Sequence, residues 1–306
     1  MPPSVPAWDG RAVDGILAID PAGPDRYRGR CNDINRYGVI FGGQYLGQGL
    51  AAACLSVEGA APHALFSQYL RSGTGAAPVD YAVQRLRDGR NFATRAVSAR
   101  QDGRDLFRMD VSFHRGAQGY EHQDAVPPPV PGPEALADLA TLGERYREAI
   151  PDQSYRRLSV PTPFDVRPVQ PEDLLLRRAA RAGFETWIRL RGDAPADPRL
   201  HPAAFAFASD YLVSSCAAIG HTRTIFSAEY HSFSLNHSLW LHRPLRLQAW
   251  MLCVAHSPLA HDGRGFIRMR YFDRDGALLA TMVQENVIGP GARETGASYR
   301  NTGEIA

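Results

Sequence analysis

Asp210 is the only charged residue between Ala203 and Ala218, a run that is otherwise small and apolar nearly all round. A helix with no polar face is a buried helix, and a carboxylate inside one is costly unless hydrogen bonds or a shifted pKa relieve it. Such an acid is either satisfied by neighbouring donors or acts as a general base or water-orienting group, because perturbed carboxylates gather at active sites. Two further polar sets stand nearby in sequence. A long strand-like stretch, Ser227 to His242, puts Ser232, Ser234, Asn236 and Ser238 on one face by simple alternation, the usual mark of a solvated face. In the last strand-like stretch Gln284 shares a face with Leu278, Ala280 and Met282, but the opposite face is also rather apolar, so periodicity alone does not place it.

Other chemistries lack their residues. The chain has no lysine; its 34 basic residues are all arginine, which excludes Schiff-base chemistry and the lysine of a phosphate-binding P-loop. No G-x-S-x-G elbow occurs, so a serine nucleophile is disfavoured. His231, His237 and His242 lie on one strand without an H-E-x-x-H pattern, and their spacing puts them on both faces; no metal and no cofactor is expected. Gly42, Gly43, Gly47 and Gly49 interrupt a helical run and imply close approach of a backbone or a ligand. They have no G-x-G-x-x-G order, so helix packing is the preferred reading.

The elements that carry these residues occur twice. In the first half a strand near Asp25–Cys31 precedes a helix over about Tyr37–Val57, followed by strands near His63–Arg71, Asp80–Arg87, Phe92–Gln101 and Asp105–Arg115. The second half repeats the order: a strand at Glu185–Arg191, a helix at Pro202–Ile219, then strands at Ser227–His242, Leu245–Ala255, Gly265–Asp273 and Ala277–Ile288. Landmarks recur as well, Gln44-Tyr45-Leu46 against Asp210-Tyr211-Leu212 and Asp88-Gly89-Arg90 against Asp262-Gly263-Arg264. One long helix and several long strands, twice, predict an α+β fold. Residues 1–118 and 163–289 form the two units. Residues 119–162 read as a proline-rich linker with one surface helix, Glu134–Ala149, and 290–306 as a flexible tail. The first unit has no acid where Asp210 stands and no glutamine in register with Gln284, so chemistry is expected in the second.

With 306 residues and a net charge of +2, the chain is long enough for two packed units and carries no charge excess suited to nucleic acid. Cys31, Cys54, Cys216 and Cys253 show no C-x-x-C spacing and suit buried reduced thiols in the cytoplasm. No apolar run approaches the ~20 residues that cross a bilayer.

Several segments, in this order, resemble the acyl-CoA thioesterase II family: Phe41-Gly42-Gly43-Gln44, Gln84-Arg85-Leu86-Arg87-Asp88-Gly89-Arg90, Val130-Pro131-Gly132-Pro133-Glu134, Asn236-His237-Ser238-Leu239-Trp240-Leu241-His242-Arg243-Pro244 and Gly263-Arg264-Gly265. The resemblance implies a double hotdog, two helices each wrapped by an antiparallel sheet. It assigns catalysis to Asp210, Ser234 and Gln284, which hold a water against an acyl thioester. It makes Gly43, Gln44, Asn236, His237 and Arg243 the expected substrate contacts. It also implies a homodimer or higher homo-oligomer, and an acyl-CoA or acyl-carrier thioester as substrate. Arginines such as Arg71, Arg87, Arg90, Arg243 and Arg264 are candidates for the phosphates of coenzyme A, or simple solvated surface. The family has Asp where this chain has Asn236, a polar residue is common at Phe66, and its Arg-Pro-Gly turn stands here as Arg71-Ser72-Gly73. These departures point to a specialised acyl thioester. The alternatives are a hotdog enzyme that transfers, cyclises or dehydrates an acyl chain, and a noncatalytic acyl-binding protein; retention of Asp210, Ser234 and Gln284 together argues against the second.

Overall fold

A computed structural model describes residues 5–179, 181–228 and 230–291. The first half contains α1 (Val13–Leu17), β1 (Ile19–Pro21), β2 (Arg26–Gly29), α2 (Gly42–Leu55), β3 (Ala61–Tyr69), β4 (Asp80–Asp88), β5 (Phe92–Gln101) and β6 (Arg104–His114). A connecting segment holds a 3-10 turn at Pro133–Ala135 and two short helices, α3 (Leu139–Arg145) and α4 (Asp152–Leu158), where the sequence predicts one. The second half adds β7 (Phe164–Pro168), α5 (Pro171–Leu175), β8 (Gly183–Leu190), α6 (His201–Ser209), α7 (Val213–Ala218), β9 (Tyr230–Ser234), β10 (Asn236–Leu241), β11 (Met251–His261), β12 (Arg264–Phe272) and β13 (Leu278–Pro290).

The strands form one antiparallel sheet in the order β1-β2-β4-β5-β6-β3-β10-β13-β12-β11-β8-β7, with β9 beside β13. Read outward from the central β3–β10 pair, the two halves repeat the same strand order, which is the structural form of the duplicated sequence. That central pairing, Leu65 opposite Leu239 and Phe66 opposite Ser238, joins the halves side by side without an open edge between them. The first half curls around α2 and the second around α6 and α7, with α7 packed on the strands β8, β9, β11, β12 and β13 and α6 packed against α2. The result is the expected α+β double hotdog.

Glycine makes the helix pairing possible. A Cβ on Gly43 would stand 2.6 Å from Phe207 O, and one on Gly47 3.0 Å from Phe207 Cβ. Packing therefore accounts for these two positions.

Two elements depart from the sequence reading, and both departures fall at the polar residues. The helix expected over Pro202–Ile219 breaks at Asp210: α6 ends at Ser209, Asp210 is its C-cap, and Leu212 takes a left-handed φ of 62° before α7 starts. Such a conformation costs a branched residue roughly 1–2 kcal/mol, and strain of this kind gathers at functional sites. The strand expected over Ser227–His242 breaks at Leu235. Ser234 pairs with Asn286, whereas Ser238 pairs with Val283, so the register slips by one residue between them. The Asn236 side chain fills the gap by accepting from the Glu285 N–H at 2.9 Å. A slip of one residue exchanges the two faces of a strand. Ser232 and His237 are therefore both buried, and the four-residue polar stripe does not share one face.

Smaller differences occur at loops. The strand expected at Leu245–Ala255 begins only at Met251, and the last strand runs through Gly289 to Pro290. Most of the expected tail, residues 292–306, lies outside the described residues. No helix is long and apolar enough to cross a membrane among the described residues.

Candidate active site

The helix break aims Asp210 at the first turn of α2. Its carboxylate lies beside the α-carbon of Gly42, where an added Cβ would come within 2.6 Å of Oδ2. The residue is 8 % exposed. Burial pushes its pKa from 3.8 up to about 7, while the Gln284 amide and the Gly43 backbone N–H pull in the other direction. An acid held near neutrality is matched to accepting a proton at ordinary pH.

Gln284 is fully buried on β13. Its Nε2 donates to Ser234 Oγ and to Asn286 Oδ1, each at 2.8 Å. Its Oε1 lies 2.5 Å from His237 Nδ1. Asn286 in turn donates to Ser214 Oγ and Ser232 Oγ, both at 3.0 Å. Ser234 Oγ thus accepts from Gln284 and keeps its own hydrogen to give. The β-bulge at Leu235 allows this arrangement, because Ser234 before it and His237 after it both meet Gln284.

Asp210 and Ser234 open onto a cavity of about 770 Å³. Gly42, Tyr69 and Tyr211 stand beside them on its wall, and Phe41, Phe226 and Val287 give it apolar surface. The connecting segment is more than a linker, since Leu158 and Pro161 complete one side of the cavity. Five arginines reach it, Arg11, Arg36, Arg71, Arg157 and Arg191. Only Arg71 was singled out by its sequence context. The other four arrive from separate loops that share no local pattern.

Asp210, Ser234 and Gln284 therefore come together, and the Gly43 N–H reaches Asp210, but Gly43 packs on Phe207 and does not line the cavity. Nor do the remaining expected contacts. Gln44 is fully buried and holds the preceding loop, accepting from Asp33 N–H at 2.8 Å and donating to Asn32 Oδ1 at 2.8 Å. Asn236 is used by the bulge and borders a shallow outer hollow with Phe66 and Gln68, away from the cavity. Arg243 is exposed beyond the end of β10 and does not line the cavity. His237 is fully buried behind Gln284, so it touches no substrate in this arrangement. Arg87, Arg90 and Arg264 also lie off the cavity, Arg264 pairing with Glu285 at 3.3 Å.

A doubled hotdog in which a near-neutral carboxylate and a hydroxyl on the wall of a large cavity are backed by a buried amide belongs to the hotdog class of thioester hydrolases. Sequence comparison identifies the branch. Residues 32–114 match the acyl-CoA thioesterase N-terminal domain and residues 127–288 the acyl-CoA thioesterase C-terminal domain. The chain is 35% identical over 285 residues to acyl-coenzyme A thioesterase 8 of Mus musculus, covering 90% of this chain and 88% of that protein. It is 29% identical over 263 residues to acyl-CoA thioesterase 2 of Haemophilus influenzae, covering 86% and 91%. Among solved structures, an acyl-CoA thioesterase II of Mycobacterium marinum superposes with a TM-score of 0.74 at 30% identity, covering 92% of this chain and all of that one. The chain belongs to the acyl-CoA thioesterase II family and is a thioester hydrolase. Membership favours hydrolysis over acyl transfer, cyclisation or dehydration.

Proposed function

We propose that this chain hydrolyses acyl-CoA thioesters by direct attack of a water molecule held by Asp210, Ser234 and Gln284. The observation that carries the reading is the convergence of these three side chains, from a helix break, a bulged strand and the last strand: Asp210 and Ser234 stand on the cavity wall, and the fully buried Gln284 backs them. In the reaction the water adds to the thioester carbonyl carbon as Asp210 takes its proton. The carbonyl π electrons move to oxygen, and the C–S bond then breaks to release the coenzyme A thiolate and the free acid. A thiolate is a good leaving group, so no strong acid has to protonate it.

Ser234 places the water, its lone pair taken by Gln284 and its hydrogen turned toward the cavity. The oxyanion forms near the start of α2. The Gly43 N–H points at Asp210 and the Gln44 N–H at Phe41 O, so the first-turn donor left for the oxyanion is the Gly42 N–H, whose residue lines the cavity and whose N-cap, Phe41, provides no side-chain cap. Cavity arginines such as Arg36 and Arg157 offer countercharge to the phosphates of coenzyme A.

The setting we infer is a cytoplasmic homo-oligomer. Four free buried cysteines support a reducing compartment, and two apolar side chains exposed on the sheet, Phe266 and Phe66, the latter packed on the half-buried Trp240, support self-association. Thiol release from short, medium and long acyl-CoAs, measured for the wild type beside folded Asp210→Asn and Gln284→Ala, tests the function. Hydrolysis by the wild type with a loss of about a hundredfold or more in Asp210→Asn is expected. Full activity in Asp210→Asn would refute the site.

A further inference from the structure

We infer that His237 is a positioning residue that braces Gln284, fixing which end of its amide faces Ser234 and coupling that amide to the end of the helix that carries Asp210. The inference rests on the hydrolytic site proposed above.

His237 is fully buried, and each ring nitrogen has a partner on a different element. Nδ1 meets Gln284 Oε1 on β13 at 2.5 Å, and Nε2 meets Ser209 Oγ at 3.0 Å. Ser209 is the last residue of α6 and the immediate neighbour of Asp210. One imidazole thus spans the two elements that present the base and the amide.

The proton arrangement follows from the partners. Burial lowers the pKa of His237 to about 4, so the ring is neutral and carries one N–H. A carbonyl oxygen only accepts, so that hydrogen sits on Nδ1 and points at Gln284 Oε1. Nε2 is then an acceptor, and Ser209 Oγ supplies the hydrogen in place of its alternative acceptor, Ala206 O at 2.8 Å. With Oε1 held, the NH₂ end of Gln284 must face Ser234 Oγ and Asn286 Oδ1, as observed. Were the amide reversed, its oxygen would face Ser234 and take that hydroxyl hydrogen away from the cavity.

A histidine that merely fills the core would also be buried and bonded, so the test must separate the two roles. His237→Phe removes both contacts, whereas His237→Asn keeps a polar group at the Nδ1 position. Each is made alone and on Gln284→Ala, with folding checked by thermal unfolding. The brace predicts that His237→Phe lowers kcat at least tenfold with little change in KM, since the ring does not line the cavity. It predicts that His237→Asn recovers most of that loss, and that His237→Phe costs no more than about twofold when Gln284 is already alanine. An additive loss in the double variant, or no recovery in His237→Asn, would overturn the brace while leaving the hydrolytic site standing. Full activity in Gln284→Ala would overturn both. Nitrogen-15 spectra of the wild-type histidine rings provide a test without mutation: a neutral His237 protonated on Nδ1 supports the brace, and one protonated on Nε2 contradicts it.

Discussion

Asp210 and Gly42 share a contact that leaves no room for a side chain: a methyl group on the Gly42 α-carbon would stand 2.6 Å from the Asp210 Oδ2. The same methyl would come within 3.2 Å of the Tyr69 ring. Gly42 is therefore where α2 admits the carboxylate, a constraint distinct from the helix packing at Gly43 and Gly47. Gly42→Ala is expected to fold, because alanine favours the helix by about 1 kcal/mol over glycine. Displacing the base is expected to lower kcat about a hundredfold. Steady-state kinetics with thermal unfolding checks this, and wild-type kcat would show that the carboxylate has room to move.

The pH profile reports the same group. Asp210 accepts a proton only when ionised, and burial holds its pKa at about 7. The logarithm of kcat/KM should rise with unit slope below about pH 7 and level off above it. Asp210→Asn should flatten that limb, along with losing most of the activity.

Stability should change in the opposite sense. The folded-state pKa of Asp210 lies above its ordinary value of 3.8, so folding favours the protonated acid. The favourable state is fully present at pH below about 4, and it is lost as pH rises through about 7 and the buried group must ionise. Replacing Asp210 by Asn removes this dependence. The stability advantage of Asp210→Asn over the wild type should grow between pH 4 and 7 and then level off near ~4 kcal/mol. Denaturant unfolding of both proteins at pH 5 and pH 8 measures it. An equal difference at the two pH values would mean that the acid is not held above its ordinary pKa.

Much of the architecture was legible because its signals are local. Strand alternation and the repeated Asp-Gly turns marked β4, β5, β6 and β12 within a few residues, and the apolar character of Ala203–Ala218 correctly announced buried helix. The break at Asp210 was not legible. Tyr211-Leu212 continues an apolar pattern, and no glycine or proline announces a left-handed residue. Nor could the slip at Leu235 be read from alternation, because it is set by pairing with β13 and by the Asn236 side chain.

That slip explains the largest gap in the site reading. Simple alternation grouped Ser234 with Asn236 and set His237 apart, whereas the bulge brings Ser234 and His237 to the same glutamine. Asp210 carried a physical signal of its own as a lone charge in an apolar helix. Ser234 and Gln284 were distinguished only through the family resemblance. Gln44 stands where Asp210 does in the repeat, yet it ties the loop at Asn32 and Asp33, so the first unit kept the position and gave it a structural task.

The most direct test of the account is a single turnover with enzyme in excess over acyl-CoA in oxygen-18 water, followed by mass analysis of the released acid. Attack by water held at Asp210 predicts one oxygen-18 in the acid on the first turnover. Unlabelled acid on that turnover, with label appearing in the Asp210 carboxylate, would show that the side chain itself attacks the thioester and would contradict the role assigned to it.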